Sequence, residues 1–117
     1  EEDIYINCDK IHTSQLILNL VDNAIKYSKD KPNVKIILRK ENTGATLSVI
    51  DAGIGIEKEH ISKIFDKLYR VPTGNVHNVK GFGLGLSYVD SIAKAHGWQV
   101  KIKSNKNEGT EFTLIMI

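Results

Sequence analysis

Four short segments carry residue types whose spacing suits ligand chemistry. The first is Asn19-Leu20-Val21-Asp22-Asn23-Ala24-Ile25-Lys26-Tyr27. At about 100° per residue, His12, Gln15, Asn19, Asp22, Asn23 and Lys26 share one narrow stripe of a helix. Two asparagines four apart are unusual on a plain solvent face, because Asn is a poor helix former. A carboxamide offers a neutral oxygen to a hard cation such as magnesium beside phosphates. The competing reading is an ordinary solvated stripe.

The second segment is Asp51-Ala52-Gly53-Ile54-Gly55-Ile56. Asp51 shares strand parity with Leu47 and Val49, so its carboxylate points into the apolar layer and needs a partner there. It either caps a turn or accepts a ligand N–H, with Gly53 and Gly55 letting backbone approach a flat ring. The third segment, Gly81-Phe82-Gly83-Leu84-Gly85-Leu86, precedes a helix. Bare N–H groups and the positive dipole end there suit an anion. It is not the dinucleotide fingerprint, because Leu86 stands where the last Gly belongs, and no P-loop is present. Loop or helix-packing glycines remain the alternative. The fourth, Gly109-Thr110-Glu111-Phe112, reads alone as a turn opening a strand.

The elements that must hold these segments follow from periodicity. Ile4–Asn7 reads as a strand. Asp9 to about Ser28 reads as a helix with Asp9 as N-cap, ended by the polar stretch before Pro32. In that helix Leu16, Ile17, Leu20, Val21, Ala24 and Ile25 cover most of the remaining circumference, predicting a largely buried rod. Val34–Lys40 and Thr46–Ile50 alternate as strands around a hairpin at Glu41–Gly44. Asp51–Lys80 holds one helical stretch near Lys58–Leu68, and a connection this long is usually functional, such as a lid. Leu84–His96 is a second long helix with Gly97 as its C-cap. Trp98–Ser104 and Thr110–Ile117 close the pattern as strands. Val34, Ile36 and Leu38 share one parity, as do Leu47 and Val49; Trp98, Val100 and Ile102; and Phe112, Leu114 and Met116. Ile37 and Ile115 are exceptions. One dry and one wet face predict an α+β, two-layer α/β sandwich, with a mixed, mainly antiparallel sheet covered on one face by helices.

The chain has 117 residues, 41% hydrophobic and 26% charged, which suits one globular domain and excludes collagen-like or fully disordered chains. The longest unbroken apolar run is Leu114–Ile117, too short to span a bilayer. Sixteen basic and fourteen acidic residues leave a net charge of +2, which does not by itself predict nucleic-acid binding. The single cysteine, Cys8, excludes an internal disulfide and reads as inert packing. The chain starts at Glu1 and its only methionine is Met116, which suggests a fragment or a processed product.

Taken together and in this order, the segments resemble the ATP-binding catalytic domain of sensor histidine kinases. That domain belongs to the GHKL superfamily with the Bergerat fold, shared with type II topoisomerases, mismatch-repair ATPases and the heat-shock chaperone ATPase. Asn19–Tyr27 resembles the N box, Asp51–Ile56 the first Gly box, and Phe65-Asp66-Lys67-Leu68-Tyr69-Arg70 the F box. Gly81–Leu86 resembles the second Gly box and Gly109–Phe112 the third. The resemblance covers residues 1–117 as a single domain, with an ATP lid at approximately 57–82. It implies that Asn23 ligates magnesium, with Asn19 beside it, and that Lys26 meets phosphate oxygens while Tyr27 lies along the adenosine. Asp51 would accept from the adenine amino group, with Gly53, Gly55 and Ile56 close to the base and Thr110 near the adenine end. Arg70 would reach the terminal phosphate. Lys80 would add positive charge to the lid. Gly81, Gly83, Leu84, Gly85 and Leu86 would cradle the phosphates and anchor the helix.

The resemblance further implies a separate dimeric phosphoacceptor helical hairpin and, downstream, a response regulator receiver domain. A cytoplasmic, monomeric fragment is expected, making no contact with nucleic acid or membrane, from a parent with or without an inner-membrane anchor. His12, His60, His77 and His96 lie outside the acceptor motif. His60 and His77 are expected exposed on the lid, His12 solvated or near the ligand stripe, and His96 stabilised by a helix dipole. An acceptor at Asp51 opposes the guanine carbonyl oxygen, so ATP is expected over GTP. A carboxamide at Asn19, where hydrolytic relatives tend to carry Glu, cannot take a proton from water, so slow hydrolysis is expected. Phe82 departs from the usual Thr or Ser, Leu68 from the usual Phe, and Ala52 from a commonly polar residue. Phe82 supports an alternative, a nucleotide-binding pseudokinase that works by docking. An anti-sigma-type serine kinase shares the fold.

Overall fold

The computed structural model describes residues 3–27, 33–56, 58–61, 63–65, 85–105 and 108–117. Asp9 opens helix α1 (Lys10–Lys26) as expected. Its Oδ1 accepts the His12 backbone N–H at 3.0 Å, satisfying a donor that the first helical turn leaves unpaired. That same N–H holds the Asp9 carboxyl below its ordinary range. Thr13, Leu16, Leu20 and Ala24 form the buried face of α1. The chain continues through β1 (Val34–Glu41), β2 (Gly44–Asp51) and the single turn α2 (Lys58–Ile61). Helix α3 (Gly85–Ala95), β3 (Gln99–Asn105) and β4 (Gly109–Met116) complete it.

The sheet order is β1-β2-β4-β3. Every ladder among the described residues is antiparallel, which corrects the expected mixed sheet. Ile4–Asn7 is also corrected: it pairs with no described strand, although Ile4 and Ile6 pack half-buried against the core. Alternation orients side chains, but a strand exists only where a neighbour offers matching N–H and C=O groups. The central pair is β2 with β4, where Leu47 faces Leu114 and Val49 faces Phe112. Helix α1 packs on α3 and over β2, and α3 packs on β3. Leu16, Leu20, Val49, Val89, Phe112 and Leu114 are fully buried between the layers. Each contributes about 1.5–3 kcal/mol by leaving water.

The helical layer stops short of one edge. Ile36 and Leu38 share the inner face with Val49 and Leu47, yet each remains 51% exposed, because β1 is an edge strand and α1 lies over β2. Ile11, Leu18 and Ile25 are exposed on α1, so that helix is buried on one face only. Cys8 is exposed and fills no core space. His60 is half-buried, not a fully exposed lid residue. Of the lid, residues 58–61 and 63–65 are described; Arg70, His77, Lys80, Gly81, Phe82, Gly83 and Leu84 lie outside the described residues. No helix among the described residues is long and apolar enough to cross a membrane.

His96 follows the end of α3, the helix-end position expected, and both of its ring nitrogens have partners. Its Nδ1 lies 2.8 Å from the Ile92 carbonyl, which can only accept, so Nδ1 carries a hydrogen. Its Nε2 accepts the Asp9 backbone N–H at 3.0 Å and so carries none. The ring is therefore a neutral tautomer, stacked on Trp98 with centroids 4.3 Å apart. It ties the start of α1 to the end of α3, and Gly97 at φ 73° then turns the chain into β3. His96→Ala is expected to cost about 1–2 kcal/mol in urea unfolding, through two lost hydrogen bonds and a lost stack. A change below about 0.5 kcal/mol would show that the clamp holds nothing.

Candidate functional site

Asp51 ends β2 with its side chain turned into the apolar layer, only 5% exposed. Burial pushes its carboxyl up from the ordinary value, while the Gly53 and Thr110 backbone N–H groups pull it down. Its Oδ1 accepts from Gly53 at 2.9 Å. A Cβ on Gly53 would collide with the Tyr27 carbonyl and with Asp51 Oδ1, so only glycine lets this loop close onto the end of α1. Ile54 N–H then donates to the Tyr27 carbonyl at 3.0 Å. Gly109, at φ 102°, brings β4 equally close, since a Cβ there would collide with the Asp51 carbonyl. Thr110 thereby stands directly opposite Asp51 in the register.

These approaches shape one pocket with about 430 Å³ of empty space, part of it open to solvent. Asn23, Tyr27, Asp51, Gly55, Ile56, Ile64, Leu86 and Thr110 line it. Seven of these eight are residues singled out in the sequence. Ile64 was not, since a lone apolar residue in a helical stretch carries no signal of ligand contact. Behind it Phe65 meets Phe112 edge-on, with centroids 6.3 Å apart at 82°. Apolar walls around one buried carboxylate suit a flat heterocycle that donates an N–H.

The phosphate-side candidates lie along the same helix. Asn19 Oδ1 accepts from Gln15 Nε2 at 2.7 Å, and Asn19 Nδ2 donates to the Gly85 carbonyl at 3.3 Å. This joins the middle of α1 to the first residue of α3. The Lys26 ammonium pairs with Asp22 at 2.9 Å along its own helix and does not line the pocket.

Ser104 was also missed, and it sits at the centre of the loops. Its hydroxyl accepts the Ile56 N–H at 2.8 Å, donates to the Gly109 carbonyl at 2.9 Å, and lies 2.8 Å from Thr110 Oγ1. Its signal was available: a serine at the end of the apolar parity Trp98, Val100, Ile102.

Residues 8–117 match the family described as histidine kinase-, DNA gyrase B-, and HSP90-like ATPase. The sensor protein RprX of Bacteroides fragilis is 45% identical over 113 residues, 95% of this chain and 22% of that protein. The sensor histidine kinase YkoH of Bacillus subtilis is 39% identical over 114 residues, 97% of this chain and 25% of that protein. The chain thus spans a quarter or less of these curated relatives. Among solved structures, the nucleotide-free catalytic domain of histidine kinase ThkA superposes with a TM-score of 0.82 at 29% identity. That match covers 99% of this chain and 74% of the other. Full-length ShkA in complex with AMPPNP gives 0.78 at 25% identity, covering 96% of this chain and 22% of that one. With its antiparallel sheet under two long helices, its buried Asp51 and its matching residues, this chain belongs to the histidine kinase-, DNA gyrase B- and HSP90-like ATPase family.

Proposed function

We propose that this chain is the catalytic domain of a two-component sensor histidine kinase. It binds Mg-ATP and donates the terminal phosphoryl group to a histidine on a separate helical hairpin. The observation that carries this reading is the buried Asp51 carboxylate, held by Gly53 N–H at the wall of an apolar pocket. A carboxylate has acceptor capacity left after the Gly53 and Thr110 bonds, and an exocyclic amino group fits it. The relative solved with AMPPNP, an ATP analogue, supports the same reading.

Asn23, from the pocket wall, would hold magnesium. Among the described residues no group of three or more His, Cys, Asp or Glu could hold a metal ion. A single neutral ligand suits a cation whose remaining ligands are phosphate oxygens and water. Magnesium, when bound, offsets the charge of the triphosphate. Asn19, with its NH₂ turned toward the start of α3, would donate to phosphate oxygens. Lys26 would leave Asp22, an exposed pair of the kind worth at most about 1 kcal/mol. Arg70, Lys80, Gly81, Gly83 and Leu84 keep the lid and phosphate roles that the family motif implies. The partners are the dimeric hairpin and, after transfer, a response regulator receiver domain. His12 beside Asp9 and His96 in its clamp already have structural roles, in keeping with an acceptor elsewhere in the parent.

Three outcomes test this reading. Calorimetric titration should find Mg-ATP binding and no GTP binding. Asp51→Asn should weaken ATP by roughly tenfold to a hundredfold, the loss of a charged hydrogen bond of about 1.5–3 kcal/mol. A folded wild type that takes both nucleotides equally would overturn the base assignment. The second outcome concerns stability. The native state binds the Asp51 proton more tightly than the unfolded chain does, because burial raises its pKa. The stability of the ligand-free protein should therefore fall as pH rises through the interval just above the ordinary carboxylate range. Asp51→Asn should remove that part of the slope in pH-dependent urea melts; an unchanged slope would assign it to other groups. Third, phosphate release by the isolated chain should stay close to the buffer blank, since Asn19 cannot act as a base. Sustained multiple turnover would argue for a hydrolase.

A further inference from the structure

The Ser104 hydroxyl makes three contacts, and only one arrangement of hydrogens satisfies them. A hydroxyl has one proton and two lone pairs. The Gly109 carbonyl has no proton, so the hydrogen in that contact comes from Ser104. Ile56 N–H donates to one lone pair. The contact with Thr110 Oγ1 at 2.8 Å then needs a hydrogen that Ser104 no longer has. Thr110 must supply it. Its own proton is thereby turned away from the pocket, and Thr110 Oγ1 is left with lone pairs only. Thr110 is 7% exposed and lines the pocket opposite Asp51 in the register. The wall thus presents two neighbouring acceptors, a carboxylate and a proton-committed hydroxyl.

We propose that Ser104 is a specificity-determining positioning residue of the base pocket, fixing Thr110 as an acceptor so that the wall accepts amino-substituted rings and rejects oxo-substituted ones. The proposal rests on the nucleotide reading above. A hydroxyl free to rotate would donate to a ring carbonyl as readily as it accepts from an amino group. Ser104 withdraws that option while its other contacts hold Ile56, in the pocket lining, and Gly109, at the start of β4.

The test compares ATP with inosine triphosphate, whose base carries an oxo group in place of the amino group and a hydrogen on the adjacent ring nitrogen. Wild type should bind ATP far more tightly. Ser104→Ala frees the Thr110 proton and should lower the ATP-to-ITP affinity ratio by on the order of tenfold, part of it through improved ITP binding. Ser104→Cys, close in size with a weak donor and acceptor, should shift the ratio the same way if the alanine variant folds poorly. Ser104→Thr, which keeps the hydroxyl, should restore it. An equal loss of affinity for both nucleotides would make Ser104 a purely structural residue and overturn the proposal. Failure of the base reading is distinguished by the wild type itself: if it binds ATP with no dependence on Asp51, the adenine assignment falls first.

Discussion

A carboxylate buried at the end of a central strand constrains the rest of this molecule. An ionised Asp51 removed from water is costly unless N–H groups surround it. Two backbone donors, from Gly53 and Thr110, offset part of that cost, burial remaining the larger effect. Both require glycine nearby: Gly53 because the loop passes against the end of α1, Gly109 because β4 starts against the Asp51 carbonyl. The antiparallel pairing of β2 with β4 brings Thr110 opposite Asp51, and Ser104 on β3 reaches across to both loops. The sheet order is therefore part of the chemistry. A register slip of one residue between β2 and β4 would turn Thr110 away from the pocket and strip a donor from the carboxylate.

Helix α1 carries that order to the other end of the site. It is fixed at its start by the His96 ring against Asp9 and at its end by the Tyr27 carbonyl against Ile54. Seventeen residues at about 1.5 Å each make a rod of roughly 25 Å. With both ends held, α1 presents Asn23 to the pocket that Asp51 also lines. The Gln15, Asn19 and Gly85 chain adds a link to α3 part-way along.

The parts of this arrangement that depend on neighbours in sequence were readable before any coordinates. Asp9 caps α1 because capping is decided within four residues, and Gly97 turns the chain for the same reason. Seven pocket residues were identifiable because the motif preserves their order along the chain. What depends on distant partners was not readable. Ile4–Asn7 alternates like a strand, yet pairing is a property of its neighbour. Parity assigned Ile36 and Leu38 to the inner face correctly but could not say how far the helical layer reaches. The charge on His96 could not be judged from its place at a helix end, because its deciding partner lies 87 residues away. Ser104 stood in view as a polar residue among apolar ones, but its meaning came from contacts with two other loops.

The two ends of the site differ in the kind of contact that holds them. Around Asp51 the described contacts are buried or part-buried: Gly53 to Asp51 within one loop, Ser104 to Thr110 across the β3–β4 hairpin, and Ile56 to Ser104 between distant segments. Along the polar stripe they are exposed: Gln15 to Asn19, Asn19 to Gly85, Lys26 to Asp22. Exposed pairs exchange cheaply for other partners, whereas a buried set cannot rearrange without stranding a polar group. Recognition of a base needs a wall that does not move. Transfer of a terminal phosphoryl group needs contacts that follow the charge as it leaves. Binding both ends with equal rigidity would hold substrate and product alike and would not speed the step between them. On the proposed function, the buried contacts among β2, β3 and β4 meet the first demand and the exposed pairs along α1 meet the second.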